Sequence, residues 1–193
     1  MARPLSPQTL TEPDRRLVAG WAADCAERVL PLFAAEAPDD DRPRDAIARA
    51  RAFSRGELTA AGEIRRRLVA GRAAHSATSR AAAAAARAAA QAAGVAHMGA
   101  HALGAAAYAA AAVALAHPEL SDARLDEVRW QLERLTPATA DALRLLPRLG
   151  EDSSGPLGAG LLASGALGET IRDIQAGLTP RGGSPERMPP RSP

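Results

Sequence analysis

The sequence predicts an all-α protein, a compact helical bundle of about six to eight helices. Alanine, the residue with the highest helix propensity, dominates the chain from residue 81 to residue 116. Nowhere do β-branched residues alternate over several positions, as they do in strands. Because small side chains let helices approach closely, we expect the alanine-rich helices to form a pair at the centre of the bundle.

Capping residues and prolines predict where the first helices begin and end. Residues 1–9 lack periodicity, so we expect a flexible arm there. Thr11 is expected to cap the first helix, and Pro31 to kink or end it. Asp41 is expected to cap a second helix, and Thr59 a short third one.

The alanine-rich segment is expected to form two helices, over residues 72–93 and 95–116, with the joint at Gly94. After it, Ser121 and Thr136 are expected to cap two further helices.

The segment 150–168 is rich in glycine and serine, and we expect it to be an ordered loop. A short helix over 169–175 follows. Residues 176–193 hold mainly Pro, Gly, Arg and Ser and are expected to form a disordered tail. The sequence therefore predicts a single helical domain over residues 10–175. Three leucines in the loop are expected to pack on the helices: Leu157, Leu161 and Leu162.

Charge is distributed unevenly. Residues 42–80 carry ten arginines and three acids, whereas residues 1–41 carry four and eight, and residues 118–175 carry six and ten. A basic segment between acidic ones favours ion pairing within the protein over a nucleic-acid footprint. The basic segment also offers bases only one aromatic ring to stack on, Phe53. We therefore expect no nucleic-acid partner.

The chain has one cysteine, Cys25, which excludes an internal disulfide framework and fits a reducing compartment. No basic-then-apolar start resembles a secretory signal. The alanine-rich segment carries Arg87 and histidines, and alanine is barely hydrophobic enough for lipid, so we expect no membrane span. The sequence predicts a soluble, cytoplasmic protein.

A polar stripe interrupts the alanine-rich segment at helical spacing. Its members are Arg87, Gln91, His97, His101 and Tyr108. His97 and His101 form an H-x-x-x-H pair, whose spacing on a helix lets two imidazoles reach one metal. The glutamate of the metalloprotease signature is absent, since position 98 is Met, and the sequence supplies no third ligand. We expect structural histidines, with no metal and no cofactor. The alternative is a small-ligand or metal-dependent helical enzyme that uses this stripe.

A second group of polar residues surrounds Trp21. Asp24 and Arg28 are four residues apart and are expected to form an ion pair within the first helix, flanking the core. Cys25 lies on the apolar face, where a buried thiol is expected rather than a nucleophile. A Cys–His catalytic pair with His97 or His101 is the alternative.

Three motifs together resemble a known family. They are W-A-A-D-C-A-E-R-V-L-P-L-F from Trp21, D-x-R-P-R-x-A-I leading into the second helix, and A-H-M-G-A-H-A-L-G-A-A-A-Y from Ala96 to Tyr108. Over roughly residues 10–135 the chain resembles the actinobacterial Imm-five-like family of immunity proteins. The polar residues of the first two motifs are Trp21, Asp24, Cys25, Arg28, Arg42 and Arg44.

The resemblance implies a non-catalytic protein that binds and neutralises a cognate toxin of a polymorphic toxin system, with no catalytic residues to carry over. Two contact surfaces compete. Arg65, Arg66 and Arg67 cover most of a helical turn, so at least one points outward. Asp39 and Asp40 would suit a basic toxin better. The sequence is also compatible with a homodimer.

Overall fold

The computed structural model describes residues 6–64 and 70–179 of the 193-residue chain. No strand occurs in these two ranges, and seven α-helices have eight or more residues, so the predicted fold class is confirmed. The α-helices are α1 (Glu12–Ala34), α2 (Arg42–Ser54), α3 (Ala60–Ile64), α4 (Arg80–Gly94), α5 (His101–Ala116), α6 (Ala123–Glu133), α7 (Pro137–Arg144) and α8 (Gly165–Gly177). Short 3₁₀ helices span Pro7–Thr9, Ala70–Ser76 and Leu161–Ala163.

The alanine-rich helices α4 and α5 form the centre of the bundle, as predicted. They pack side by side and antiparallel, and α1 lies across both. Helix α2 covers α1 and α4, α6 and α8 cover α5, and α7 packs on α1. Nine residues in succession on α5, from Ala102 to Ala110, are buried, because neighbours surround this helix on every side.

Three of the five predicted caps are confirmed and two are wrong. The Thr59 hydroxyl accepts a bond from the Gly62 amide at 3.3 Å. The Thr11 hydroxyl accepts a bond from the Asp14 amide at 3.3 Å, and the Thr136 hydroxyl from the Thr139 amide at 3.1 Å. Asp41 precedes α2, but its side chain makes no capping bond, because its backbone is helical rather than extended.

The other wrong cap is Ser121, since α6 begins two residues later, after Asp122. Pro31 does not end α1, which continues to Ala34. It lies in the last turn, where a missing amide donor removes one bond near a helix end.

The alanine-rich helices are shorter than predicted. Helix α4 begins at Arg80, because the Ser79 hydroxyl caps it by accepting from the Ala82 amide at 3.0 Å. Residues 70–76 before it are 3₁₀ helix. The joint is a six-residue turn over 95–100 rather than Gly94 alone.

Residues 6–9 are not a flexible arm, because they hold that turn in place. The Gln8 and Thr9 carbonyls accept bonds from the Ala100 and Gly99 amides, both at 3.0 Å. The Gln8 side chain is fully buried. It donates to the Asp152 carbonyl at 2.8 Å and accepts from the Leu157 amide at 2.9 Å. We call this set of bonds the Gln8 clamp. The rest of the predicted arm, residues 1–5, lies outside the described ranges.

Residues 150–164 form a loop that includes the 3₁₀ helix Leu161–Ala163, whereas residues 165–168, predicted as part of the loop, belong to α8. Leu157 and Leu162 are buried, but Leu161 is 68% exposed, so its predicted docking is wrong. Helix α8 is longer than the predicted helix over 169–175, and Leu178 after it is buried. The Leu178 carbonyl accepts a bond from Arg144 Nε at 2.6 Å. The helical part of the chain therefore continues past residue 175, and the remainder of the predicted tail, 180–193, lies outside the described ranges.

Candidate functional site

Five of the seven arginines described within residues 42–80 are paired with carboxylates of the same chain. Every arginine of α2, together with Arg55 just after it, contacts a carboxylate. The pairs are Arg42 with Asp40, Arg44 with Asp41, Arg49 with Glu63, Arg51 with Asp24 and Glu27, and Arg55 with Glu57. These pairs support the interpretation that the basic segment complements acids of the same chain. Arg65, Arg66 and Arg67 lie outside the described residues.

The acidic candidates Asp39 and Asp40 differ from each other. Asp39 is exposed. Asp40 accepts bonds from both Arg42 Nε and Nη2, at 2.7 and 2.5 Å, and these hydrogen bonds lower the pKa of the Asp40 carboxyl to about 2. Arg42 also reaches the Ser76 hydroxyl at 2.9 Å. Through these bonds to Arg42, the Asp40 carboxylate is part of the loop structure before α2.

The polar residues of the Trp21 motif reach across to other helices. Trp21 is buried, and its indole Nε1 donates to the Gln131 carbonyl on α6 at 2.8 Å. Arg28 Nε donates to Glu127 on α6 at 2.6 Å, and Asp24 pairs with Arg51 on α2 at 2.8 Å. The predicted ion pair between Asp24 and Arg28 is therefore wrong, because partners on packed helices replace the intrahelical one.

Two buried polar residues of α6, Glu127 and Gln131, were missed by the sequence reasoning. Gln131 Nε2 donates to the Ala106 carbonyl at 3.1 Å and to Glu127 Oε1 at 3.3 Å, while Gln131 Oε1 has no hydrogen-bond partner. The signal in the sequence was their i,i+4 spacing. Leu125, an apolar residue of the same helix, is 43% exposed. The inward face of α6 is therefore partly polar.

Above this buried pair lies an exposed surface that we call the tryptophan–arginine face. Two guanidinium groups lie over the Trp130 ring, with Arg28 Cζ 4.2 Å and Arg134 Cζ 4.8 Å from its centroid. The face forms a shallow pocket of about 490 Å³. Its members are Asp24, Glu27, Arg28, Arg51, Trp130 and Arg134.

Cys25 is fully buried beneath this face, as predicted for a structural thiol. Burial raises the pKa of the thiol well above its usual value, and the charges of Glu127 and Asp24 raise it further. Cys25 therefore stays protonated near neutral pH, which disfavours a Cys–His catalytic pair.

The predicted polar stripe does not run along one helix. His97 lies exposed in the turn between α4 and α5, and His101 is the first residue of α5. The assumption that both histidines share one helical face is wrong, because the chain turns between them. Arg87 and Gln91 lie on α4, and Tyr108 lies on α5, so the stripe is divided between two facing helices.

Gln91 and His101 meet across that helix pair, with Gln91 Oε1 2.7 Å from His101 Nδ1. Burial, and then the charge of nearby His97, lowers the pKa of His101 to about 4. The ring is therefore neutral at pH 7. Glycines give the pair room: a Cβ at Gly94 would lie 2.9 Å from His101 Cγ, and one at Gly104 would lie 2.4 Å from Gln91 Oε1. The contact between Gln91 and His101 therefore joins α4 to α5.

Within residues 6–64 and 70–179, no group of three or more His, Cys, Asp or Glu side chains could hold a metal ion. In the same ranges, no helix combines the length and apolar character needed to cross a membrane.

Arg87 and Tyr108, the other two members of the stripe, line a groove of about 520 Å³, which we call the α4–α5 groove. It lies between the beginning of α4, the end of α5 and the beginning of α8. Alanines of α4 and α5 form its floor, and its rim carries Arg80, Arg87 and Arg124.

These features define a small helical protein with a buried polar network and two concave surfaces. The model of one protein family, described as "Imm-5 like putative immunity protein", matches residues 8–138, which is more than half of the chain. The chain belongs to this family, and the resemblance found in the sequence is confirmed. No curated protein and no solved structure matches significantly. The matched region begins at Gln8 and includes the whole tryptophan–arginine face.

Proposed function

We propose that the chain is a non-catalytic immunity protein that binds and neutralises a cognate toxin protein, and that the tryptophan–arginine face makes the contact. Membership of the immunity-protein family supports a toxin partner. A reducing compartment, the cytoplasm, is part of the proposal, because the cysteine is a buried free thiol.

We choose this surface because the Arg28 and Arg134 guanidinium groups lie over the Trp130 ring. Tryptophan and arginine are the residue types that dominate binding energy at protein interfaces. Here both guanidinium groups contact the ring, and Arg28 is anchored by the buried Glu127. A surface ordered before binding loses less conformational entropy when a partner covers it.

The two surfaces proposed from the sequence remain competitors. Arg65, Arg66 and Arg67 form one, and Asp39 with Asp40 forms the other. The pairing of Asp40 with Arg42 weakens the acidic surface, because a neutralised carboxylate attracts a basic partner less. Charge reversal at either group tests it: slower association with little change in melting temperature would assign the contact there instead.

The direct test uses a candidate toxin, to be sought among the genes that neighbour this one. Co-expression of the chain should restore growth of cells that make the toxin. Trp130→Ala and Arg134→Ala should each weaken binding about 30-fold, the effect expected of an interface hot spot. Arg129→Ala is the matched control, an exposed arginine of the same helix outside the face. It should bind normally.

Rescue of growth without a stable complex would contradict the binding mechanism. A complex that Trp130→Ala and Arg134→Ala leave unchanged would reject the face while keeping the toxin partner. Thermal melting of each variant separates lost binding from lost folding.

The alternative hypothesis, a small-ligand or metal-dependent enzyme, has a separate test. Turnover of a small molecule that depends on His97 or His101, with stoichiometric metal in untagged protein, would overturn the non-catalytic proposal.

A further inference from the structure

We infer that the α4–α5 groove binds a small amphiphilic anion, a molecule with one carboxylate or phosphate group on a hydrocarbon body. The groove is separate from the tryptophan–arginine face, and the inference does not depend on a toxin partner. Its volume of about 520 Å³ lies in the range of small-molecule sites.

The floor of the groove is suited to a hydrocarbon chain. It is made by small side chains of two packed helices, Ala83 and Ala84 from α4 and Ala111 and Ala114 from α5. Two large apolar side chains stand at its edge: Leu115 is 37% exposed and Leu161 is 68% exposed. A hydrocarbon body in the groove would remove this apolar surface from water.

The rim of the groove is positively charged. Arg80 and Arg87 are exposed and have no ion-pair partner among the described residues. Arg124 is fixed by Asp173 at 2.6 Å and by the Thr170 hydroxyl at 3.2 Å. None of the described lining residues is an acid. Two guanidinium groups are therefore available to a bound oxyanion, in contrast to the paired arginines of α2.

Polar groups beside the arginines further favour a bound anion. The groove is lined by the Tyr108 side chain and by Ser164 at the start of α8. The Ser164 hydroxyl donates to the Leu161 carbonyl at 3.0 Å and does not cap α8. The first amides of α8 thus lack a side-chain acceptor, and a helix start of this kind favours a nearby anion.

The chain's own C-terminal segment is a poor occupant. Residues 180–193 carry three arginines and one glutamate, so their charge repeats that of the rim. A segment of a partner protein would be the other occupant. We favour a small molecule because the groove is concave and is bounded by several elements of the same chain, including α4, α5 and α8.

The test uses the full chain and its single tyrosine, Tyr108, as a reporter. With ¹³C-labelled tyrosine, the protein gives one ring signal from inside the groove. Decanoate and decyl phosphate should each shift this signal saturably, and their relative affinity identifies the preferred headgroup. Decanol, which has the same body without the charge, should bind at least about tenfold more weakly.

Variants then connect binding to the groove. Arg87→Gln should weaken decanoate binding about tenfold, through loss of a charge-assisted contact. Ala114→Leu should block binding by filling the floor. Arg72→Gln is the matched control, because it removes an exposed arginine outside the groove, and it should bind decanoate normally. Melting curves confirm that each variant is folded.

Several results would overturn the inference: no saturable shift of the Tyr108 signal, equal binding of decanol and decanoate, or unchanged binding in Arg87→Gln. A shift caused by an acidic, leucine-rich peptide but not by decanoate would also overturn it and would make the groove a protein-docking surface. The toxin experiment uses Trp130 and Arg134, so either proposal can fail alone.

Discussion

The tryptophan–arginine face and the α4–α5 groove each carry three arginines, but these arginines have different interaction partners on the two surfaces. On the face, Arg28 and Arg51 are bound to carboxylates and Arg134 stacks on Trp130. On the groove, Arg80 and Arg87 contact no acid among the described residues, and Arg124 alone is paired. The same residue type is part of the structure in one place and available to a ligand in the other.

The difference follows from what lies underneath. Below the face, α6 places Glu127 at a nearly inaccessible position, where a carboxylate needs a partner. Below the groove, alanine side chains contribute no charge, so Arg80 and Arg87 at its rim form no ion pair with the described residues beneath them. Removing arginines from the two surfaces should therefore have unequal consequences.

The largest expected effect is that of Arg28→Ala. This change leaves the Glu127 carboxylate buried without its cation. We expect a loss of about 2–4 kcal/mol in the free energy of unfolding, somewhat below a fully buried pair because Arg28 is partly exposed. Urea denaturation measures it. Arg129→Ala, which breaks an exposed pair, should cost less than about 1 kcal/mol. An equal loss in the free energy of unfolding for Arg28→Ala and Arg129→Ala would contradict the proposed difference between the buried and the exposed ion pair.

The next effect concerns His101, the neutral first residue of α5. Folding lowers the pKa of His101 from 6.5 to about 4, so the unfolded chain binds a proton at a higher pH than the folded chain does. Stability should fall as the pH drops from about 6.5 to 4, by about 3 kcal/mol. His101→Gln cannot bind this proton and should lose less stability. Parallel pH profiles for the two proteins would refute the explanation.

A smaller effect should separate buried alanines from those of the groove floor. Ala105 is fully buried on α5, so Ala105→Leu should cost about 1–3 kcal/mol through overpacking. Ala114 faces the groove, so Ala114→Leu should change the free energy of unfolding by less than about 0.5 kcal/mol. Thermal or urea unfolding compares the two. A strongly destabilised Ala114→Leu would mean that the groove is not open space.

The smallest expected effect is that of Arg87→Gln on stability. Because Arg87 is exposed and has no ion-pair partner in the described ranges, its replacement should change the free energy of unfolding by less than about 0.5 kcal/mol. A loss of more than about 1 kcal/mol in urea denaturation would show that the fold uses this arginine, as it uses Arg28.

Features set by local chemistry could be predicted from the sequence. Helix propensity gave the fold class, and the threonine caps at positions 11 and 136 depend on residues three positions away. The burial of Cys25 followed from its place on the apolar face of α1. These features need no knowledge of the other helices.

Features set by tertiary packing could not be predicted. The spacing of Asp24 and Arg28 suits an intrahelical pair, but α2 and α6 bring Arg51 and Glu127 to them. His97 and His101 have the spacing of one helical turn, yet the chain turns between them because the Gln8 clamp bonds the backbone there. The same clamp explains why the sequence predicts residues 6–9 as part of a flexible arm, since the bonding partners of Gln8 and Thr9 lie 90 or more residues away.

The Gln8 clamp also has a consequence for the order in which the protein is made. Gln8 leaves the ribosome early, but the Asp152 carbonyl and Leu157 amide that satisfy its side chain are synthesised about 145–150 residues later. Until then its amide must stay hydrated, and the turn between the two central helices lacks part of its support from the loop. Helices α1 to α5 can assemble during synthesis, whereas closure of the bundle waits for nearly the whole chain. A stop codon before residue 157 should therefore release a partly folded, protease-sensitive product even though most of the matched family region is present.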